Sequence, residues 1–126
     1  MKTVISTPNA PAAIGPYSQA VVCGNLVYTS GQIPLEPTTG AVVGETVREQ
    51  TEQVMKNLEA VLNAAGTSLQ NAVKTTCFLA DMEDFAVFNR VYAAHVPSNP
   101  ARSCVAVKTL PKGVLVEVER FQLLEH

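Results

Sequence analysis

Hydrophobic side chains recur at helical spacing between residues 46 and 66 of this chain. Such spacing places one apolar face of an α-helix against a protein core. Thr46 followed by Glu49 is a capping-box pattern, and Gly66 stands where a helix C-terminus is expected. The pattern therefore predicts a first helix whose buried positions are Val47, Val54, Leu58, Val61, Leu62 and Ala65.

A second helix is predicted between residues 81 and 95. Asp81 or Asp84 can cap its start, and Pro97 and Pro100 lie just beyond its end at His95. Its aromatic residues recur at helical spacing, which is more typical of core packing than of an aromatic ligand platform. These residues are Phe85, Phe88 and Tyr92.

Five segments carry strand-forming residues: 17–23, 25–30, 72–79, 103–108 and 114–124. Gly24-Asn25 is a hairpin turn between the first two, and Leu110-Pro111-Lys112-Gly113 joins the last two. Residues 6–16 and 34–45 are predicted loops. This order of elements favours an α+β fold in which one mixed β-sheet carries two α-helices on one face. A single domain over residues 1–126 is expected from the length.

Side chains alternate along a strand, so each residue of the last two predicted strands can be assigned to one face of the sheet. Val116 and Val118 point to a face apolar enough to meet the helices, and Val105 is assigned to that face. Arg102 then falls on the opposite, helix-free face together with Glu117, provided that the two strands pair as a hairpin. The pair is either a surface ion pair or a site for a small carboxylic acid, because arginine binds carboxylates through two parallel hydrogen bonds. A second subunit is expected to cover this face.

The charge pattern argues against a nucleic-acid partner. The chain has 9 basic and 11 acidic residues, a net charge of -2, and the basic residues are scattered rather than clustered. A row of phosphates would require a basic stripe. With 47% hydrophobic residues, the chain instead has the composition of an ordinary folded domain.

Cysteine and histidine positions give little support for metal or thiol chemistry. Cys23, Cys77 and Cys104 are widely spaced and are expected to be reduced thiols. His95 and His126 are the only histidines, and neither has cysteines at metal-ligand spacing. Cys104 and His95 could form a nucleophile and base, but a small buried thiol and a helix-end imidazole are the simpler interpretation. Without a signal-peptide or membrane-spanning pattern, a cytoplasmic location is expected.

Several ordered motifs resemble those of the reactive intermediate deaminase family, the RidA-type enamine and imine deaminases. The resemblance extends over essentially the whole chain. The matching segments are Gly15-Pro16-Tyr17-Ser18-Gln19-Ala20, Thr29-Ser30-Gly31-Gln32-Ile33-Pro34, Pro100-Ala101-Arg102-Ser103-Cys104, Leu110-Pro111-Lys112-Gly113 and Val116-Glu117-Val118-Glu119.

This resemblance implies a chorismate-mutase-like fold and a homotrimer whose sheets form a central barrel, with active sites in the clefts between subunits. It implies that Arg102 binds the substrate carboxylate, that Glu117 positions water and that Tyr17 also serves catalysis. Cys104 would act mainly through its backbone. Four residues are assigned to substrate binding: Ser30, Gly31, Asn89 and Cys104.

The implied substrates are reactive enamines and imines of 2-amino acids. They comprise 2-aminoacrylate with 2-iminopropanoate, and 2-aminocrotonate with 2-iminobutanoate, which pyridoxal-phosphate dehydratases release. The products are 2-keto acids and ammonia. The resemblance implies no cofactor or metal, no required complex with a dehydratase, and neither a nucleic-acid nor a membrane partner.

One segment departs from the family pattern. His95-Val96 stands where relatives often carry an aromatic pair, and the loop that follows is shorter, so the pocket wall near Asn89 is expected to differ in shape. Two alternatives remain open: a non-catalytic small-ligand sensor or chaperone on the same scaffold, and an RNA-cleaving translation inhibitor. The presence of both Arg102 and Glu117 favours the enzyme.

Overall fold

Six strands and two helices make up the regular structure of residues 1–124, which the computed structural model describes; His126 lies outside them. The elements are β1 (Lys2–Ile5), β2 (Ala20–Cys23), β3 (Leu26–Thr29), α1 (Val47–Ala64), β4 (Ala72–Leu79), α2 (Phe85–His95), β5 (Ala101–Ala106) and β6 (Val116–Leu123).

The strands form one mixed sheet in the order β1-β2-β3-β6-β4-β5. Neighbouring strands are antiparallel except for β4 and β5, which run parallel. A parallel pair needs a crossover connection, and α2 supplies it. The last strand in the sequence therefore lies near the centre of the sheet, between β3 and β4.

The capping box at the start of α1 is confirmed. The Glu49 amide donates to Thr46 Oγ1 at 3.2 Å, and the Thr46 amide donates to Glu49 Oε1 at 3.2 Å. Ala65 is the C-cap, and Gly66 follows with φ +88°, a left-handed conformation that favours glycine. Among the described residues, no helix is long and apolar enough to cross a membrane.

Both helices pack on the same face of the sheet, as predicted. Val54 and Leu58 of α1 are fully buried in one cluster with Phe88 of α2 and Val118 of β6. Truncating such a side chain to alanine costs about 2 to 5 kcal/mol. The sheet is therefore covered on one side only within a single chain.

The predicted hairpin between the last two strands is wrong, because β4 lies between them. Thr75 of β4 is in register with Arg102 on one side and with Arg120 on the other. Arg102 consequently shares the helix-covered face with Thr75. Glu117 alternates with buried neighbours and faces the helix-free side, where Val105, at 46% exposure, also lies.

The helix-free face is itself apolar, which explains the misassignment of Val105. A valine row on a strand does not reveal which face of the sheet the helices cover. Large hydrophobic side chains remain exposed on this face of the sheet: Val4, Tyr28, Val105, Phe121 and Leu123.

Some other strands and helices begin at residues that differ from those predicted from the sequence. β1 was not predicted as a strand, and Tyr17 precedes the strand to which it was assigned. Asp81 accepts the Glu83 amide at 2.9 Å and caps a short 3-10 turn ahead of α2. Asp84, the other candidate, makes no side-chain cap.

Candidate active site

Arg102 lies in a cavity of about 440 Å³ between the start of β5 and α2, called here the Arg102 pocket. Its Nη1 donates to Asn89 Oδ1 at 2.6 Å. Its guanidinium carbon is 4.8 Å from the centroid of the Tyr92 ring. Arg102 is half-buried, so a small anion entering the cavity would meet the remaining guanidinium donors away from bulk water.

The turn before β5 shapes the outer wall of the Arg102 pocket. Pro97 and Pro100 end α2 and start the strand, and both line the cavity. Asn99 between them has φ +52°, a left-handed conformation that asparagine tolerates better than most residues. The sequence predicts that the pocket wall near Asn89 differs in shape from that of relatives because of His95-Val96. Val96 lines this cavity.

Cys104 follows Arg102 on the same face of β5. Burial raises the pKa of its thiol, and the Arg102 charge partly opposes that shift. The Val107 amide donates to Leu79 O of β4 at 2.9 Å. Because successive amides of a strand point to opposite sides, the Cys104 amide points to the free edge of the sheet. A backbone donor therefore stands beside the Arg102 pocket.

Glu117 lines a second cavity of about 470 Å³, called here the Glu117 pocket. Tyr17, Ser30 and Gly31 line it as well. Burial raises the pKa of the Glu117 carboxyl, and the neighbouring Glu119 charge raises it further. Such a carboxyl is a better proton donor and acceptor near neutral pH than an exposed one.

Gly31 permits the position of Glu117. A Cβ at residue 31 would collide with the Glu117 carboxylate, so no side chain fits there without moving it. The adjacent Ser30 hydroxyl donates to Ser18 O at 2.5 Å. Gln32 bridges to Val118 of β6, which fixes the segment against the strand that carries Glu117.

Tyr17 reaches the pocket from the N-terminal arm and is 51% exposed. Gln19, at 3% exposure, holds this arm in place. Its side chain accepts from the Thr7 amide at 2.7 Å and donates to Pro11 O at 2.8 Å. The arm is therefore anchored, while the Tyr17 ring stays open to whatever approaches.

The predicted site residues form two groups rather than one. Asn89, Arg102 and Cys104 lie on the helix-covered side of the sheet, whereas Tyr17, Ser30, Gly31 and Glu117 line the Glu117 pocket. Arg102 and Glu117 were expected on one face, and that expectation is wrong within a single chain. Each chain therefore carries two groups of candidate residues on opposite sides of the sheet, called here the half-sites.

His95 does not form a dyad with Cys104 in the described part of the chain. Its Nε2 lies 3.1 Å from Glu52 Oε1 of α1, so the contact joins the two helices. The imidazole belongs to the packing of α2 on α1.

Three residues near the half-sites were not predicted to contribute to them. Tyr92 lies in the core cluster and Phe85 packs against it, as predicted, and both rings also lie against Arg102. Their spacing of seven residues, with Asn89 between them, was a signal that one helix face serves the arginine. Lys112 lines the Glu117 pocket, and its ammonium donates to Gly40 O at 3.2 Å.

A larger cavity of about 710 Å³ lies elsewhere, beside the polar side of α1. Its lining includes Lys56, Asn57 and Glu59, and none of the predicted site residues. The candidate residues therefore lie in or beside the two smaller cavities.

Comparison with known proteins gives matches over almost the full chain. The family model described as Endoribonuclease L-PSP matches residues 7–122. A RutC family protein of Pyrococcus horikoshii is 52% identical over 120 residues, covering 94% of this chain and 95% of that protein. A 2-iminobutanoate/2-iminopropanoate deaminase of Salmonella typhimurium is 50% identical over 123 residues, with 94% and 95% covered.

Solved structures agree with the fold. The structure of RidA from the Antarctic bacterium Psychrobacter sp. superimposes with a TM-score of 0.92 at 46% identity, covering 97% of this chain and 99% of that one. The expected chorismate-mutase-like α+β fold is thereby confirmed. The chain belongs to the Endoribonuclease L-PSP family, and its relatives there include the RidA-type deaminases.

Proposed function

We propose that this protein hydrolyses reactive 2-enamino and 2-imino acids to 2-keto acids and ammonia. The observation that carries the proposal is the half-buried Arg102, held by Asn89 with guanidinium donors left for a carboxylate. The 50% identity to a 2-iminobutanoate/2-iminopropanoate deaminase supports the same substrate class.

Arg102 binds the substrate carboxylate in this proposal. A guanidinium fork matches a planar carboxylate through two parallel hydrogen bonds. The Cys104 amide at the free sheet edge offers a further donor. Fixing the carboxylate holds the imine carbon in one place, which lowers the entropic cost of water attack.

Glu117 positions and activates water. Water adds to C2 of the protonated imine, and one of its protons passes to the nitrogen through the Glu117 carboxyl. The Glu117 carboxylate then takes the hydroxyl proton of the resulting carbinolamine as its C–N bond breaks, which releases ammonia and the 2-keto acid. Tyr17, Ser30 and Gly31 bound the reacting group, and Ile14 and Ile33 offer apolar walls for a short alkyl chain.

The assembly proposed is a homotrimer in which Arg102 of one subunit meets Glu117 of the next. Two observations support it: the half-sites face away from each other, and the helix-free face exposes large apolar side chains. Packing the sheets into a central barrel would cover that face. Sedimentation should give three times the chain mass, and a stable monomer at micromolar concentration would exclude this assembly.

The proposed setting is the cytoplasm, beside pyridoxal-phosphate dehydratases that release the substrates. Three free cysteines are compatible with a reducing compartment. No stable complex with a dehydratase is proposed, because a small diffusible substrate can link the two reactions.

The deciding experiment couples the protein to a threonine or serine dehydratase and follows keto-acid release. Wild-type protein should accelerate release above the spontaneous rate, and Arg102→Ala should abolish the acceleration. Arg90→Ala is the matched control, because Arg90 is exposed on α2. No acceleration by wild-type protein would refute the deaminase; full activity of Arg102→Ala would refute only the site.

RNA cleavage is the second candidate, because the matching family model is described as an endoribonuclease. A net charge of -2 without a basic stripe counts against it. Incubation with single-stranded RNA distinguishes the two: cleavage that survives in Arg102→Ala while keto-acid release is absent would favour this alternative. Ligand binding without turnover would instead favour a sensor.

A further inference from the structure

Arg102 lies against two aromatic rings of α2. Its guanidinium carbon is 4.8 Å from the Tyr92 ring centroid and 5.5 Å from that of Phe85. Both distances fall within the range of cation–π attraction. Asn89, on the same side of the helix, accepts from Nη1 at 2.6 Å. Phe85, Asn89 and Tyr92, which lie along one side of α2, thus all contact Arg102.

The Tyr92 ring is itself held in place by contacts within the core. Its hydroxyl hydrogen-bonds the Thr75 hydroxyl at 2.7 Å, and Thr75 is fully buried on β4, in register with Arg102. The Phe88 ring packs against Tyr92 with centroids 5.6 Å apart. The ring under the guanidinium therefore has little freedom to rotate or shift.

An arginine side chain without such support samples many rotamers. A carboxylate that needs two parallel hydrogen bonds must first select one of them, and this ordering weakens binding. Asn89 fixes one N–H, but a single hydrogen bond leaves the guanidinium plane free to turn. Aromatic rings against the guanidinium remove that freedom.

We propose that Phe85 and Tyr92 are positioning residues that hold the guanidinium plane of Arg102 for bidentate binding of the substrate carboxylate. This inference rests on the proposed function of Arg102. Losing a ring adds the cost of ordering Arg102 to the binding step, whereas a carboxylate that is already bound through two hydrogen bonds is held as in wild type. KM should therefore rise and kcat should stay nearly unchanged.

The test compares Phe85→Leu, Tyr92→Leu and Tyr92→Phe with Leu62→Ala. Leu62 is the control, since it is fully buried on α1 and does not line the Arg102 pocket. Its truncation should destabilise the fold at least as much as the others. Thermal unfolding reports that cost separately from ligand binding.

Binding of 2-oxobutanoate, a 2-keto acid product, is measured by calorimetry on each variant. Tyr92→Leu and Phe85→Leu should weaken it by about three- to tenfold, in line with a cation–π contact to a half-buried arginine. Tyr92→Phe keeps the ring and should restore binding to within about twofold of wild type. Steady-state kinetics should show the same factors in KM.

Two results would overturn the inference: wild-type affinity in both leucine variants, or equal weakening in Leu62→Ala and Tyr92→Leu. Phe85 is only half-buried, so its variant remains informative should Tyr92→Leu fail to fold. The ligand measurement is independent of turnover. Ring-dependent binding of 2-oxobutanoate without any acceleration of imine hydrolysis would refute the proposed function while leaving the positioning role intact.

Discussion

Single residues in this chain owe their properties to what lies on their face of the sheet. Glu117 and Arg120 are three positions apart on β6, yet Glu117 lines a cavity while Arg120 is 1% exposed in the core. Side chains alternate along a strand, so residues three positions apart face opposite sides of the sheet. What covers each side depends on elements that are distant in sequence, and each residue makes a separate prediction.

Glu117 should make stability depend on pH. Its pKa is raised above 4.5 because burial disfavours the carboxylate. The folded state therefore binds the proton more tightly than the unfolded state. This stabilisation is complete below pH 4.5 and is lost as pH rises through the raised pKa. Urea unfolding across this range, at one protein concentration, should show the loss in wild type and not in Glu117→Gln.

The control for this measurement is Glu59→Gln, at an exposed position of α1. It should follow the wild-type curve. A Glu117→Gln curve parallel to that of wild type would mean that the Glu117 carboxyl is solvated in the folded protein.

Arg120 should be replaceable by an apolar side chain with a gain in stability. Its Nη2 donates to Leu69 O at 2.6 Å, but Nε and Nη1 have no partner among the described residues. Burial lowers the pKa of Arg120 to about 10, so it still carries a charge in the core. Arg120→Met should raise the free energy of unfolding by about 1 to 4 kcal/mol.

Chemical denaturation measures that gain. Arg90→Met, at an exposed position of α2, should stay within about 0.5 kcal/mol of wild type. A loss of stability in Arg120→Met would show that the guanidinium finds compensation in the assembled protein.

At the scale of elements, the start of a helix could be predicted from the sequence, whereas the pairing of the strands could not. The start of α1 follows from Thr46 and Glu49, because a capping box involves only neighbours in sequence. The place of β5 depends on α2 crossing over to lay it parallel to β4. No spacing within residues 101–124 contains that information, so the hairpin was predicted wrongly and Arg102 was assigned to the wrong face.

The capping box carries a stability prediction of its own. Thr46→Ala removes the acceptor for the Glu49 amide and should lower the free energy of unfolding by about 1 kcal/mol. Thr109→Ala is the matched control, since Thr109 is exposed in the loop between β5 and β6 and its side chain makes none of the described hydrogen bonds. Equal effects of the two variants would mean that the cap is frayed in solution.

At the scale of the whole molecule, the motifs single out the candidate site residues but not their division into two half-sites. Motifs identify Arg102 and Glu117 without saying which chain supplies each. The sheet shows that one chain cannot bring them together, since they occupy opposite faces. The proposed trimer joins half-sites of neighbouring subunits.

Mixing two inactive variants tests this division. Arg102→Ala supplies an intact Glu117 pocket, and Glu117→Gln supplies an intact Arg102 pocket. Refolded together in equal amounts, they should regain about a quarter of wild-type activity, because each half of a site is intact in half of the subunits. Arg102→Ala mixed with Arg102→Gln, which share one defect, should regain none. Equal activity in the two mixtures would place the whole site in one chain.

The outward orientation of the two half-sites also has a consequence for dilution. In the proposed trimer, a subunit that dissociates would offer the substrate only an arginine on one side and a carboxyl on the other. Turnover would then vanish below the concentration at which subunits dissociate, and a carboxylate ligand bridging two chains would oppose that dissociation. Catalysis and assembly would then depend on the same association equilibrium, and substrate binding would favour the assembled protein.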